Sequence, residues 1–142
     1  MLIQPYLFFD GRCDEAIEFY KKALGAKVSM LMRFKDVPAD APKSDDPNCR
    51  PPVGAENKVM HACIEIGPQK IMASDGECGG KAEFKGFGLS LTVKSEGEAK
   101  KLFGSLNDGG HVITPLTKTF FSPAFGMVAD KFGVMWMVVV EQ

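Results

Sequence analysis

The sequence predicts an α+β protein of two βαβββ modules, in which helices cover the outer face of curved sheets and the other face wraps around a cleft. Three observations lead there. In the stretch Val59 to Ile66, apolar Met60, Ala62, Ile64 and Ile66 alternate with His61, Cys63 and Glu65. Side chains alternate across a strand, so the latter three share a face that does not suit a dry core and needs water, a partner or a cavity. Two short amphipathic helices each follow a strand. The order strand, helix, three strands then occurs twice, and a half this small buries too little surface to be secure alone. Two sheets joining edge to edge around a shared cleft are therefore expected.

At 142 residues the chain has the size of one domain, divided as module one 1–75, linker 76–85 and module two 86–142. Its 17 Lys and Arg nearly balance 18 Asp and Glu, for a net charge of −1, and no basic run is present. There is thus no electrostatic footprint for nucleic acid or an acidic membrane surface. No apolar run reaches membrane-spanning length, and the opening Met1–Tyr6 lacks the basic lead-in of a signal peptide. A soluble cytoplasmic protein is expected.

Module one opens with a strand over Leu2 to Phe9, where Pro5 favours an edge or a strand end. Cys13 to Leu24 reads as a helix, with Ala16, Ile17, Tyr20 and Leu24 on one stripe and Gly25 placed to stop it. Ala26 to Phe34 is a strand. Lys35 to Asn57, with five prolines (Pro38, Pro42, Pro47, Pro51, Pro52), is a long loop and a candidate lid. After the two-faced strand, Gly67-Pro68 turns the chain into a strand over Lys70 to Asp75. Asp75, at its end, is expected to be solvated.

Gly76 to Phe84 is a linker. Gly86 to Val93 is a strand, Ser95 and Glu98 stand at capping-box spacing, and Ala99, Leu102, Phe103 and Leu106 form the stripe of a second helix, closed by Asn107 to Gly110. Strands follow at Val112 to Leu116, Phe125 to Asp130 and Val134 to Glu141, the last two joined by a tight turn at Lys131-Phe132-Gly133. Trp136 alternates with Val134, Val138 and Val140 and is assigned to packing. The four cysteines, Cys13, Cys49, Cys63 and Cys78, include no Cys-x-x-Cys pair, so free thiols are expected. Cys63 beside His61 lacks the third group that a nucleophilic pair normally needs.

The segments Pro5-Tyr6-Leu7-x-Phe9, Glu15-Ala16-Ile17-x-Phe19-Tyr20, Leu24-Gly25-Ala26, His61-Ala62, Ile71-Met72-x-Ser74-Asp75 and Asp130-Lys131-Phe132-Gly133-Val134-x-Trp136 together resemble the PhnB-like branch of the vicinal-oxygen-chelate superfamily. That superfamily also holds glyoxalase I, bleomycin-resistance proteins and extradiol dioxygenases. The resemblance implies a mostly antiparallel, curved sheet and a homodimer. Metal-dependent members hold a divalent cation on four side chains, at places that fall here on Gln4, Met72, Gly88 and Met137. Only Gln4 has a donor of the required kind. No metal and no cofactor is therefore expected, with a displaced divalent metal ion, on donors drawn from His61, Glu65, Asp75 and Glu141, as the alternative.

The expected ligand-binding residues are Gln4, Tyr6, Phe8, His61, Cys63, Glu65, Met72, Ser90, Phe121 and Met137, with His61 the one candidate for catalysis. Aromatic rings, adaptable thioethers and a few polar groups suit a small aromatic or amphipathic molecule, and Gly88 should leave room for it. Three function classes follow. The first is a small-molecule binding protein of the bleomycin-resistance type. The second is a lyase, isomerase or dioxygenase using His61 or a displaced metal. The third is a methyltransferase or DNA-binding protein, as relatives are labelled, against which stand the charge balance and the lack of a Gly-rich strand-to-helix turn.

Overall fold

The computed structural model describes residues 1–40 and 53–142, so Cys49 and the middle of the proline-rich loop, on which a lid role would rest, lie outside the described residues. The chain divides into two compact units, Met1–Ala82 and Glu83–Gln142.

The first unit runs β1 (Tyr6–Phe8), α1 (Cys13–Leu24), β2 (Lys27–Arg33), β3 (Val59–Ile66) and β4 (Gln69–Ser74). The sheet order is β1-β4-β3-β2, with β1 and β4 parallel and the other neighbours antiparallel. β1 is shorter than the sequence suggests. Pairing starts where the Pro5 carbonyl accepts the Met72 N–H, and Met1 to Ile3 are exposed ahead of it. Helix α1 buries Cys13, Ala16, Ile17, Tyr20 and Ala23 and packs on β3. It stops at Gly25, whose φ of 67° is the left-handed conformation that a Cβ disfavours. The N–H groups of Gly25 and Ala26 reach back to the Lys21 and Tyr20 carbonyls, so the last turn is closed.

Asp75 departs from expectation. It is fully buried, and its Oδ1 accepts the N–H groups of Gly11 and Cys13 while Oδ2 accepts that of Val59, each at 2.8 Å. Three backbone donors from the α1 approach and the start of β3 replace the water that a strand-end carboxylate would otherwise keep.

The second unit repeats the order as β5 (Leu89–Val93), α2 (Glu96–Leu106), β6 (His111–Thr117), β7 (Phe125–Ala129) and β8 (Met135–Val140). Its sheet order is β5-β8-β7-β6, with β5 and β8 parallel. β5 begins three residues later than predicted, since Gly86 takes a φ of 83° that no strand uses. Ser95 caps α2 by accepting the Glu98 N–H at 3.2 Å, while the Glu98 carboxylate accepts from Lys94, not from the cap residue. Val134, Trp136, Val138 and Val140 are buried, and α2 packs over β8. Asp130 governs the turn before β8. Its carboxylate accepts the Phe132 and Val134 N–H groups and the Trp136 indole N–H, the last at 2.9 Å.

The internal repeat extends to irregularities. In β2 the register slips between Val28 and Met30, leaving Ser29 extra, and in β6 it slips between Val112 and Thr114, leaving Ile113 extra. A bulge of this kind moves every later side chain of the strand to the other face.

Candidate functional site

The face of the first sheet away from α1 is assembled by register. Tyr6 pairs with Met72, Met72 with Cys63, and Cys63 with Met30, which sets one row of side chains across all four strands. Phe8 lies next to Tyr6, with ring centroids 4.9 Å apart and stacked, and Met32 stands opposite His61. A charged row closes one end, where Lys27 pairs with Glu65 and Glu65 with Lys70. The Lys70 ammonium lies 3.8 Å from the Glu65 carboxylate. The opposite face of β3 carries Ala62 and Ile64, both buried under α1, so the alternation read in the sequence is the one the strand adopts.

Tyr6 and His61 make a directional polar contact on this face, with the phenol oxygen 2.9 Å from His61 Nδ1 and the rings tilted at 5.5 Å. The histidine is thus bonded to a tyrosine and not to Cys63, and no thiolate pair forms. Cys63 is half-buried between two methionines. Burial, with Asp75 and Asp14 adding to it, pushes the Cys13 thiol well up, so this cysteine is an inert core residue. Gln4 is half-buried ahead of β1.

The face of the second sheet away from α2 carries related chemistry. Ser90 pairs with Met137, Met137 with Met127, and Met127 with Thr114. Phe125 lies in the next row, and Phe121 packs edge-on against it with centroids 5.1 Å apart. Ser90 and Thr92 are exposed. Gly88 leaves no open space, contrary to expectation, because the Met135 methyl sits 2.5 Å from where a Cβ would stand.

Sequence reasoning missed Met30, Met32 and Met127. Simple alternation puts Met30 and Met32 on the face of Val28, which pairs with core residue Ile64, and only the Ser29 bulge turns them over. Lys27 and Lys70 were overlooked because neither is distinguished by sequence alone.

The positions where the superfamily would place metal ligands carry a donor set that does not fit. Met72 and Met137 offer thioethers, Gly88 offers no side chain, and hard divalent ions take oxygen and nitrogen donors. Of the alternative donors, Asp75 has its oxygens committed to backbone N–H groups, and Glu141 is exposed near the end of the described chain. Among the described residues no three His, Cys, Asp or Glu side chains converge. No helix among them is long and apolar enough to cross a membrane.

With this geometry in view, the family profile described as 3-demethylubiquinone-9 3-methyltransferase matches residues 2–139. The Escherichia coli protein YjdN is 38% identical over 100% of this chain and 97% of its own. The chain belongs to this family. Among solved structures, protein PA1353 from Pseudomonas aeruginosa is 39% identical, with a TM-score of 0.80 over 100% of this chain and 98% of that one. The family's PhnB protein from Bacillus cereus is 25% identical, with a TM-score of 0.75 over 99% of both chains. A glyoxalase/bleomycin-resistance/dioxygenase domain from Frankia, 16% identical, shares the fold at a TM-score of 0.63 over 99% of this chain and 94% of its own. This member of the 3-demethylubiquinone-9 3-methyltransferase family is thus similar to the PhnB protein and has the fold of the glyoxalase/bleomycin-resistance/dioxygenase domain.

Proposed function

We propose that this PhnB-like protein binds a small aromatic or amphipathic molecule on the helix-free face of its first sheet. The observation that carries the reading is the Tyr6–His61 hydrogen bond, one directional polar group set among the ring of Phe8 and the thioethers of Met30, Met32 and Met72. Apolar walls with a few placed polar atoms are the usual composition of a small-molecule site. Methionine and aromatic side chains adapt to flat or irregular apolar ligands. The Lys27–Glu65–Lys70 row, two cations to one anion, suits an anionic head group at one end. Met137, Ser90 and Phe121 give the helix-free face of the second sheet a surface of similar character, proposed as a ligand-contacting surface in its own right.

Methyl transfer, the activity in the family description, is less well supported by these residues. Anionic parts of nucleotide-like cofactors often rest on the N–H groups that open a helix. Here the Cys13 N–H of α1 is taken by Asp75 and the Glu98 N–H of α2 by Ser95.

The test is titration of the full chain with naphthoate, followed by thermal unfolding. Binding without metal is expected to raise stability by about 2.7 kcal/mol at a hundredfold excess over the dissociation constant. Met72→Glu, which puts a negative charge in the middle of the face and repels the carboxylate probe, should remove that gain. A naphthoate titration without effect, or a stoichiometric protein-bound ion found by elemental analysis, would overturn the reading.

A further inference from the structure

We infer that Tyr6 holds His61 with its proton on Nε2, making the histidine a hydrogen-bond donor that selects aromatic ligands carrying an acceptor oxygen, such as aryl ketones. The inference rests on the binding reading above and names the ligand class for the same face.

A contact of 2.9 Å between the Tyr6 phenol and His61 Nδ1 admits two proton arrangements. Either the phenol donates to an unprotonated Nδ1, or Nδ1–H donates to the phenol oxygen. The phenol O–H is the better donor and the imidazole lone pair far the better acceptor, since a phenolic oxygen gives up basicity to its ring. The first arrangement is favoured, and a neutral imidazole then carries its hydrogen on Nε2. No described residue bonds His61 Nε2. Its neighbour across the sheet on β2 is Met32, whose thioether accepts hydrogen bonds weakly. A purely hydrocarbon ligand would displace water from this N–H and leave it unpaired, whereas a ligand oxygen restores the bond. Sites built around a hydrogen bond discriminate sharply against analogues that lack the partner. His61 is then the specificity-determining residue and Tyr6 a positioning residue that acts through it.

Two measurements decide the matter. In protein labelled with nitrogen-15 histidine and held in alkaline buffer, where an imidazole is neutral, long-range proton–nitrogen correlations identify the tautomer. His111→Asn assigns the two histidines. His61 is expected to show the Nε2–H pattern, and Tyr6→Phe, which keeps the ring stacked on Phe8, to move it toward the averaged pattern of exchanging tautomers. An Nδ1–H pattern in the unsubstituted protein overturns the inference. Second, 2-acetylnaphthalene is expected to bind roughly tenfold more tightly than its planar isostere 2-isopropenylnaphthalene, the usual scale for one hydrogen bond. His61→Phe should bring the ratio close to one. Equal affinities for the unsubstituted protein sink this inference while sparing the binding reading. Failure of both probes to bind sinks the two together.

Discussion

The carboxylate of Asp75 accepts the backbone N–H of Cys13 at 2.8 Å and so ties the end of β4 to the first turn of α1, while its other oxygen holds the N–H of Val59 at the start of β3. One buried side chain thus fixes the helix that roofs the first sheet and the strand that carries His61. It does locally what a capping residue would do, since Arg12 at the N-cap makes no side-chain capping bond.

Asp75→Asn should destabilise the chain by about 2 kcal/mol, because the amide oxygen can keep only part of the pattern and the amide N–H₂ then opposes a backbone donor. Asp75→Ala should lose more, on the order of 3 kcal/mol or above, with the buried N–H groups of Cys13 and Val59 and the part-buried one of Gly11 left unpaired. Urea unfolding midpoints check both. A loss within about 0.5 kcal/mol for Asp75→Ala would show that these groups are satisfied by something else.

Two glycines should respond differently to the same added methyl group. At Gly110 a Cβ would run into the backbone carbonyl of Ala129, which cannot move without breaking the β6–β7 junction. At Gly88 it meets the terminal methyl of Met135, the far end of a flexible side chain. Gly110→Ala is expected to cost about 2 kcal/mol or more and Gly88→Ala less than about 1 kcal/mol. Equal losses in denaturant melts would contradict the assignment of rigid and yielding neighbours.

Asp14, exposed, and Asp10, half-buried, should bend the pH dependence of stability in opposite directions. The two-pronged hydrogen bond from Arg33, at 2.8 and 2.9 Å, together with its charge, holds the Asp14 carboxyl below the ordinary value. Its stabilisation is present in full above the unfolded-state value and disappears as pH falls through the folded one. Both side chains are partly open, 27% and 54%, so Asp14→Asn should cost under about 1 kcal/mol at neutral pH and nothing in strong acid. For Asp10, partial burial and the nearby Glu77 and Asp75 push the carboxyl up. A raised value favours the protonated fold, so that contribution exists in acid and is lost as pH rises. Asp10 also has a φ of 49°, a conformation asparagine accepts well. Asp10→Asn should therefore stabilise slightly at neutral pH, by roughly 0.5 kcal/mol or less, with the gain fading in acid. Unfolding midpoints of the two variants across pH 3 to 8 check both signs, and parallel curves would refute them.

The sequence by itself determined the two βαβββ modules, the extents of α1 and β3, the Gly25 stop and the two-faced character of Val59 to Ile66. These depend on local periodicity and on a residue without a Cβ, which act through neighbours in the chain. Tertiary structure alone decided that Asp75 is buried, because its three partners come from residues distant in sequence. It alone decided that Met30 and Met32 join His61, because the Ser29 bulge reverses an alternation that composition does not mark. The Tyr6–His61 bond belongs with these. Its residues sit 55 positions apart, and only the insertion of β4 between β1 and β3 sets their spacing across the sheet. Strand pairing is a long-range choice, so the faces of single strands can be read from sequence while the company each face keeps cannot.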